Sequence, residues 1–123
     1  MKILLIDDEE SIQELTSHLL VFLGNCISVA DSSDKAIALF ETALNEKHPF
    51  DIVIFDLYLP GNLHGVALFR QLTNIYQNFK SIISSGYSEN PELVEFRKFG
   101  FDGVLVKPYK LSDLKKVLES LNR

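Results

Sequence analysis

Short runs of apolar, largely β-branched residues alternate with helical patterns along this chain, and that alternation restricts its fold more than any other feature. Ile3–Ile6, Cys26–Ala30, Asp51–Phe55, Ser81–Ser84 and Val104–Val106 read as strands. The first is apolar throughout, and the third runs β-branched and aromatic up to Asp56, as strands buried on both faces do. Ser11–Leu23 predicts a helix with Ile12, Leu15, Leu19 and Phe22 on its inward face and Gly24 as its stop. Ser32 or Ser33 caps a helix running to about Glu46, with Ile37, Phe40 and Leu44 inward, before His48–Pro49 breaks the chain. A Pro60-Gly61-Asn62 loop precedes a helix over Val66–Tyr76, with Val66, Phe69 and Leu72 inward. Asn90 caps a fourth helix, with Pro91 in its first turn and Gly100 at its end. Ser112 caps a fifth, whose stripe is Leu114, Val117, Leu118 and Leu121.

Five strands alternating with five helices imply an α/β fold with a parallel sheet covered on both faces and right-handed crossovers. A length of 123 residues, with no repeat, linker or low-complexity stretch, fits one domain over residues 1–123 with a core of its own. The 17 acids against 12 basic residues leave a net charge of -5, which disfavours a phosphate backbone as direct partner. Cys26 is the only cysteine, so no internal disulfide forms; its apolar neighbours predict a buried, inert thiol and fit a reducing, cytoplasmic setting. No apolar run reaches membrane-spanning length, and no signal-peptide pattern opens the chain, so no membrane contact is expected.

In open parallel sheets, ligands sit beyond the carboxyl ends of the strands. The first strand ends in Asp7-Asp8, the third in Asp56, the fourth in Ser84-Ser85-Gly86 and the fifth in Lys107-Pro108. The second ends in Ala30-Asp31 and reads as an outer strand. One rim thus collects three carboxylates, a hydroxyl and an ammonium. Carboxylates packed together repel, and a hard divalent cation such as Mg2+, which takes oxygen ligands, removes the problem. A carboxylate beside it is a possible nucleophile toward phosphorus, with the metal and Lys107 spreading the developing charge. Ser85 and the Gly86 N–H could each donate to a phosphoryl oxygen. Each piece has a plainer reading: acids favour helix starts, Ser-Ser-Gly is a common loop and Lys-Pro a common turn. Glu9 and Glu10 read as such solvated helix-start acids. The combination is harder to read plainly, because every member falls at the same end of a different strand.

These residues resemble the receiver domain of two-component response regulators. The pieces that carry the resemblance are "LLIDDEE", "IVIFDLYLPG", "IISSGY" and "VLVKPY", in the family's order and spacing over essentially the whole chain. The resemblance implies a flavodoxin-like (βα)5 fold with strand order 2-1-3-4-5. It implies that Asp56 is the phosphoacceptor, receiving a phosphoryl group from a phosphohistidine of a histidine kinase or phosphotransfer protein. By the same resemblance, Asp8 binds Mg2+ directly, Asp7 acts through a water, and the Tyr58 backbone carbonyl completes the protein ligands. Ser85 and Gly86 contact the phosphoryl, and Lys107 pairs with the phosphoaspartate ahead of a Pro108 whose peptide bond is often cis in relatives. A partner would dock across Ser11, Ile12 and Leu15 and the Pro108–Tyr109 loop. A weak homodimer through the fourth helix, fifth strand and fifth helix is a further implication. The wording "SSGYSENP" and "FGFDGVLVKPY" is similar to receivers at the C-terminus of hybrid sensor kinases.

The chain also departs from the common pattern. Val104 stands where many receivers carry a switching Tyr or Phe, the "LPGNLHG" loop looks one residue longer, and Tyr58 and Tyr87 flank the site. The tyrosines are expected to restrict water and prolong the phosphorylated state. Other readings stay open. A metal-dependent phosphohydrolase with an aspartyl nucleophile would carry a second Asp where Tyr58 stands, together with a capping insertion. A flavin module would repel its phosphate with Asp7-Asp8-Glu9-Glu10. A degenerate receiver would bind partners without phosphorylation, against the intact Asp8, Asp56 and Lys107. His18, His48 and His64 are not at ligand spacing and read as surface or packing residues. Phe96, Phe99 and Phe101 read mainly as core.

Overall fold

The computed structural model describes residues 1–59 and 63–121, so the Pro60-Gly61-Asn62 loop expected from sequence lies outside the described residues. The described chain runs β1 (Lys2–Ile6), α1 (Glu10–Phe22), β2 (Cys26–Ala30), α2 (Ser33–Asn45), β3 (Ile52–Asp56), α3 (Gly65–Ile75), β4 (Lys80–Ser85), α4 (Pro91–Val94), β5 (Gly103–Val106) and α5 (Leu111–Leu121). The strands form one parallel sheet in the order β2-β1-β3-β4-β5. Both the α/β class and the strand order agree with the expectation.

Successive strand residues point to opposite faces, so the sheet sorts its side chains into two cores. Leu4, Ile6, Val53, Phe55 and Ile83 pack toward α2, α3 and α4, joined by Phe40, Leu68 and Phe101. Ile3, Leu5, Ile52, Ile54 and Ile82 pack on the other face against Leu20 of α1 and Leu114 and Val117 of α5. Aromatic rings stiffen the first core: Phe69 lies 4.4 Å from Phe101 and meets Phe55 edge-on at 5.6 Å. Phe101 is thus core, as expected, while Phe96 and Phe99 are half-buried at its margin. Gly24 and Gly100 take φ of 91° and 98°, left-handed geometry that glycine adopts without a Cβ clash.

Four expectations are corrected. On α1, Thr16 and Leu20 are the fully buried residues, whereas Leu15 and Phe22 are 44% and 76% exposed. The cause is a polar residue that hydropathy alone turns outward: Thr16 Oγ1 lies 2.5 Å from the buried Tyr109 hydroxyl, and this pair rotates the helix. Cys26 is exposed because it opens an edge strand. The fourth helix is a single turn, since Glu95 leaves helical geometry (φ -111°, ψ 36°) and the chain reaches Gly100 partly through three-residue turns such as Lys98 N–H to Glu95. Nor does Asn90 cap it through its side chain. Finally, α5 is already helical at Leu111, ahead of Ser112; Asp113 Oδ2 accepts the Lys110 N–H at 2.8 Å and closes the first turn.

The rotated α1 face has a direct consequence. Leu20→Ala is expected to lower unfolding free energy by about 2–5 kcal/mol, whereas Phe22→Ala should change it by only about 0.5 kcal/mol. Urea denaturation of the two variants distinguishes this arrangement from an inward Phe22.

Candidate functional site

The strand ends converge as sequence reasoning anticipated. Asp7 continues β1, its N–H donating to the Ala30 carbonyl at 3.0 Å, and is buried. Asp56 closes β3 and is 4% exposed. The register sets Ile6 beside Phe55 and Asp56 beside Ser84, so the next step of β1 brings Asp7 alongside Asp56. Asp8 lies just past the strand and is exposed. Each of Asp7, Asp8 and Asp56 offers a carboxylate oxygen, and these atoms lie within 4.8 Å of one another. No histidine joins this cluster among the described residues; His18, His48 and His64 are all exposed.

Lys107 balances this charge from the end of β5. Its ammonium lies 2.6 Å from Asp7 Oδ2, 3.5 Å from Asp56 Oδ2 and 3.7 Å from Glu9 Oε1. Its own N–H donates to the Ser85 carbonyl at 2.8 Å, and the Lys107–Pro108 peptide bond is cis. Burial alone would lower the Lys107 pKa, but Asp7, Asp56 and Glu9 together hold it above its ordinary value. Asp56 moves the other way. Burial, helped by repulsion from Asp7 and Asp8, outweighs Lys107 and the Tyr58 N–H and raises its pKa from 3.8 to about 6.

Local backbone contacts hold the acids. The Glu9 N–H donates to Asp7 Oδ1 at 2.9 Å, and Gln13 Nε2 donates to the Asp7 carbonyl at 2.6 Å. The Tyr58 N–H donates to Asp56 Oδ1 at 3.3 Å. Gly65, at the head of α3, approaches so closely that a Cβ there would meet the Asp56 carbonyl oxygen at 2.5 Å. Ser85 is buried and its Oγ accepts the Tyr87 N–H at 3.2 Å, while Gly86 is exposed beside it. Over these residues opens a cleft of about 580 Å³, lined among others by Asp8, Asp56, Ser85, Gly86 and Lys107. Its wall includes Tyr58 and Tyr87, exposed and edge-on with centroids 6.0 Å apart. Asn90 Nδ2 donates to the Tyr58 hydroxyl at 2.7 Å.

The proposed docking residues divide. Ser11, Leu15 and Pro108 are exposed and Ile12 is half-buried on the cleft wall. Tyr109 is 5% exposed and bonded to Thr16, so it anchors the loop from inside rather than offering a docking surface. Val104 is half-buried against the first core. Sequence reasoning missed Glu9, which reaches the buried ammonium instead of only capping a helix. It also missed Gly65, whose need for glycine rests on a backbone approach that spacing does not reveal.

The raised Asp56 pKa fixes a pH dependence. Between about 4 and about 6, folded Asp56 holds a proton that the unfolded chain has released, so stability falls as pH rises through this window and stays lower above it. In chelator-treated protein, Asp56→Asn is expected to be more stable than the wild type by about 2 kcal/mol at about pH 7.5, with the difference gone by about pH 4. Urea titrations at both pH values measure it.

Residues 3–119 match the model of the response regulator receiver domain. The chain is 26% identical to the chemotaxis protein CheY-3 of Vibrio cholerae, covering 98% of this chain and 91% of that protein. It is 32% identical to the two-component response regulator PhoP of Pseudomonas aeruginosa, spanning all of this chain but 52% of that protein. Among solved structures, the receiver domain of NtrX from Brucella abortus superposes with a TM-score of 0.83 at 29% identity, over 98% of both chains. The acid-lined rim, the strand order and these likenesses agree: the chain belongs to the response regulator receiver domain family and is a phosphoacceptor domain of signal transduction.

Proposed function

We propose that Asp56 is the phosphoacceptor and that its phosphoryl group comes from a phosphohistidine on a histidine kinase or phosphotransfer protein. The observation that carries this reading is the Asp56 carboxylate, buried at a strand end beside two further acids and 3.5 Å from the Lys107 ammonium, yet open to the cleft. In the transfer, one Asp56 oxygen forms the new O–P bond while the bond from phosphorus to its donor breaks, and the donor leaves with that electron pair. Lys107 sits where it can neutralise charge on the transferred group, and Ser85 and the Gly86 N–H are the donors nearest its oxygens.

The donor set fits Mg2+. Three carboxylates share one rim with a single close ammonium, all their ligand atoms are hard oxygens, and burial already raises the pKa of Asp56. Asp8 and Asp56 would hold the ion directly, Asp7 through a water, and the Tyr58 carbonyl would complete the protein ligands. When bound, the ion supplies positive charge to the transferring phosphoryl oxygens. The chain's own part is to present Asp56 to the cleft, hold Lys107 in reach and exclude water.

Tyr58 and Tyr87 serve the last of these roles as an aromatic wall, and Asn90 fixes Tyr58 in it. The partner docks over Ser11, Ile12, Leu15 and Pro108, beside the cleft. The exposed Val94 and Val106 support weak self-association across α4, β5 and α5. A cytoplasmic setting, in which kinases and acyl phosphates are at hand, suits all of this.

Intact mass after incubation with Mg2+ and acetyl phosphate tests the central reading. One added phosphoryl group is expected in the wild type, and none in Asp56→Asn or without metal; addition to Asp56→Asn would sink it. Replacing Tyr58 and Tyr87 together by Ala is expected to speed loss of the phosphoryl group by about tenfold, read as the decay of the phosphorylated mass. An unchanged decay would remove the wall from the account.

A further inference from the structure

Next to Asp56 the sheet holds a hydroxyl that nothing described so far uses. Ser84 is 2% exposed, and its Oγ is the one buried side-chain polar atom without a hydrogen-bond partner among the described residues. An unpaired buried hydroxyl destabilises a fold, and native proteins seldom retain one without a reason. Its position supplies the reason. Ser84 is the in-register partner of Asp56 on the neighbouring strand, and parallel neighbours in register project to the same face. That face is the α1/α5 side, because Ile82, two residues before Ser84, and Ile54, two before Asp56, both pack there. On the far side of Ser84 the register places Leu105, an apolar neighbour with nothing to bond.

The two side chains have matching deficits. The Asp56 carboxylate, with room for about four hydrogen bonds, accepts only the Tyr58 N–H at 3.3 Å among the described residues and lies 3.5 Å from Lys107. Its neighbour in the row, Asp7, is by contrast held by shorter contacts, with Glu9 N–H at 2.9 Å on one oxygen and Lys107 at 2.6 Å on the other. The acceptor carboxylate thus lacks a donor, and the adjacent serine has a donor without an acceptor. Paired in register on adjacent strands and on the same face, the two side chains are neighbours.

We propose that Ser84 is a positioning residue for phosphotransfer, its hydroxyl donating to the Asp56 oxygen that does not attack phosphorus. This rests on the reading of Asp56 as phosphoacceptor. As the attacking oxygen forms the O–P bond, the other oxygen becomes the C=O of the acyl phosphate. The Ser84 hydrogen bond holds that oxygen down in the sheet and turns the attacking one up into the cleft. Ser84 and Ser85, adjacent in sequence, therefore serve opposite ends of one event, Ser84 on the carboxyl group and Ser85 on the phosphoryl group.

The test compares wild type with Ser84→Ala, Ser84→Val and Ser84→Thr in Mg2+ and acetyl phosphate, following phosphorylated mass against time and donor concentration. Val and Thr share one shape and differ in the hydroxyl. Ala and Val are expected to slow phosphorylation at saturating donor about tenfold without raising the half-saturating donor concentration, and Thr to keep it within about threefold of wild type. All three variants are expected to remain folded, checked by their melting temperatures. Equal rates in Val and Thr, or an Ala variant that phosphorylates like wild type, would overturn the role of Ser84 and leave Asp56 as acceptor untouched. A wild type that takes no phosphoryl group at all would overturn both.

Discussion

A buried ammonium in a nest of acids governs this molecule. Lys107 projects from an edge strand across the ends of its neighbours and meets Asp7 and Glu9 from the loop after β1 and Asp56 from the end of β3. Burying so much charge is unfavourable, and only close pairing offsets it. The pairing is uneven. Asp7 takes the short contact and Asp56 the long one, so Asp56 is the less tightly paired of the two buried acids. The perturbed pKa of Asp56 expresses that arrangement, and the surrounding scaffold exists to sustain it: β3 carries the carboxylate, Gly65 lets α3 close over its backbone, and the Tyr109–Thr16 pair ties the lysine loop to α1.

Much of this was legible before any coordinates. The site is built from strand ends, and an apolar run stopping at a charged residue is written plainly in one dimension. Asp7, Asp8, Asp56, Ser85 and Lys107 were readable for that reason, as was the layered α/β architecture that gathers them. What escaped notice depended on contacts between distant segments. Thr16 was absent from the expected inward face because hydropathy cannot anticipate a tyrosine hydroxyl arriving from 93 positions away. Asn90 was readable as the N-cap residue of α4, but not its bond to the Tyr58 hydroxyl, which lies on another loop. Glu9 was discounted because an acid at a helix start already has a sufficient local explanation. The short α4 reflects the same limit, since one residue leaving helical geometry undoes a pattern that composition supports.

The two-sided sheet also divides labour. Apart from Glu9 and Asp8 beyond the strands, the charged centre stands over the α1/α5 core, whereas the phenylalanine cluster fills the other. Stability contributed by stacked aromatics is therefore separated from the chemistry by the thickness of the sheet. Val104 belongs to the aromatic side, packed against the first core.

The pairing of β3 with β4 carries a consequence of its own. Because consecutive residues face opposite layers, moving β4 by one position against β3 would set Ser85 beside Asp56 and drive Ile82 and Ile83 into each other's cores. The two serines are the same residue type, so nothing at the strand's end would resist such a shift. The isoleucines below them do, each matched to its own packed layer. Which hydroxyl stands next to the acceptor is thus decided not at the site but in the hydrocarbon two residues beneath it.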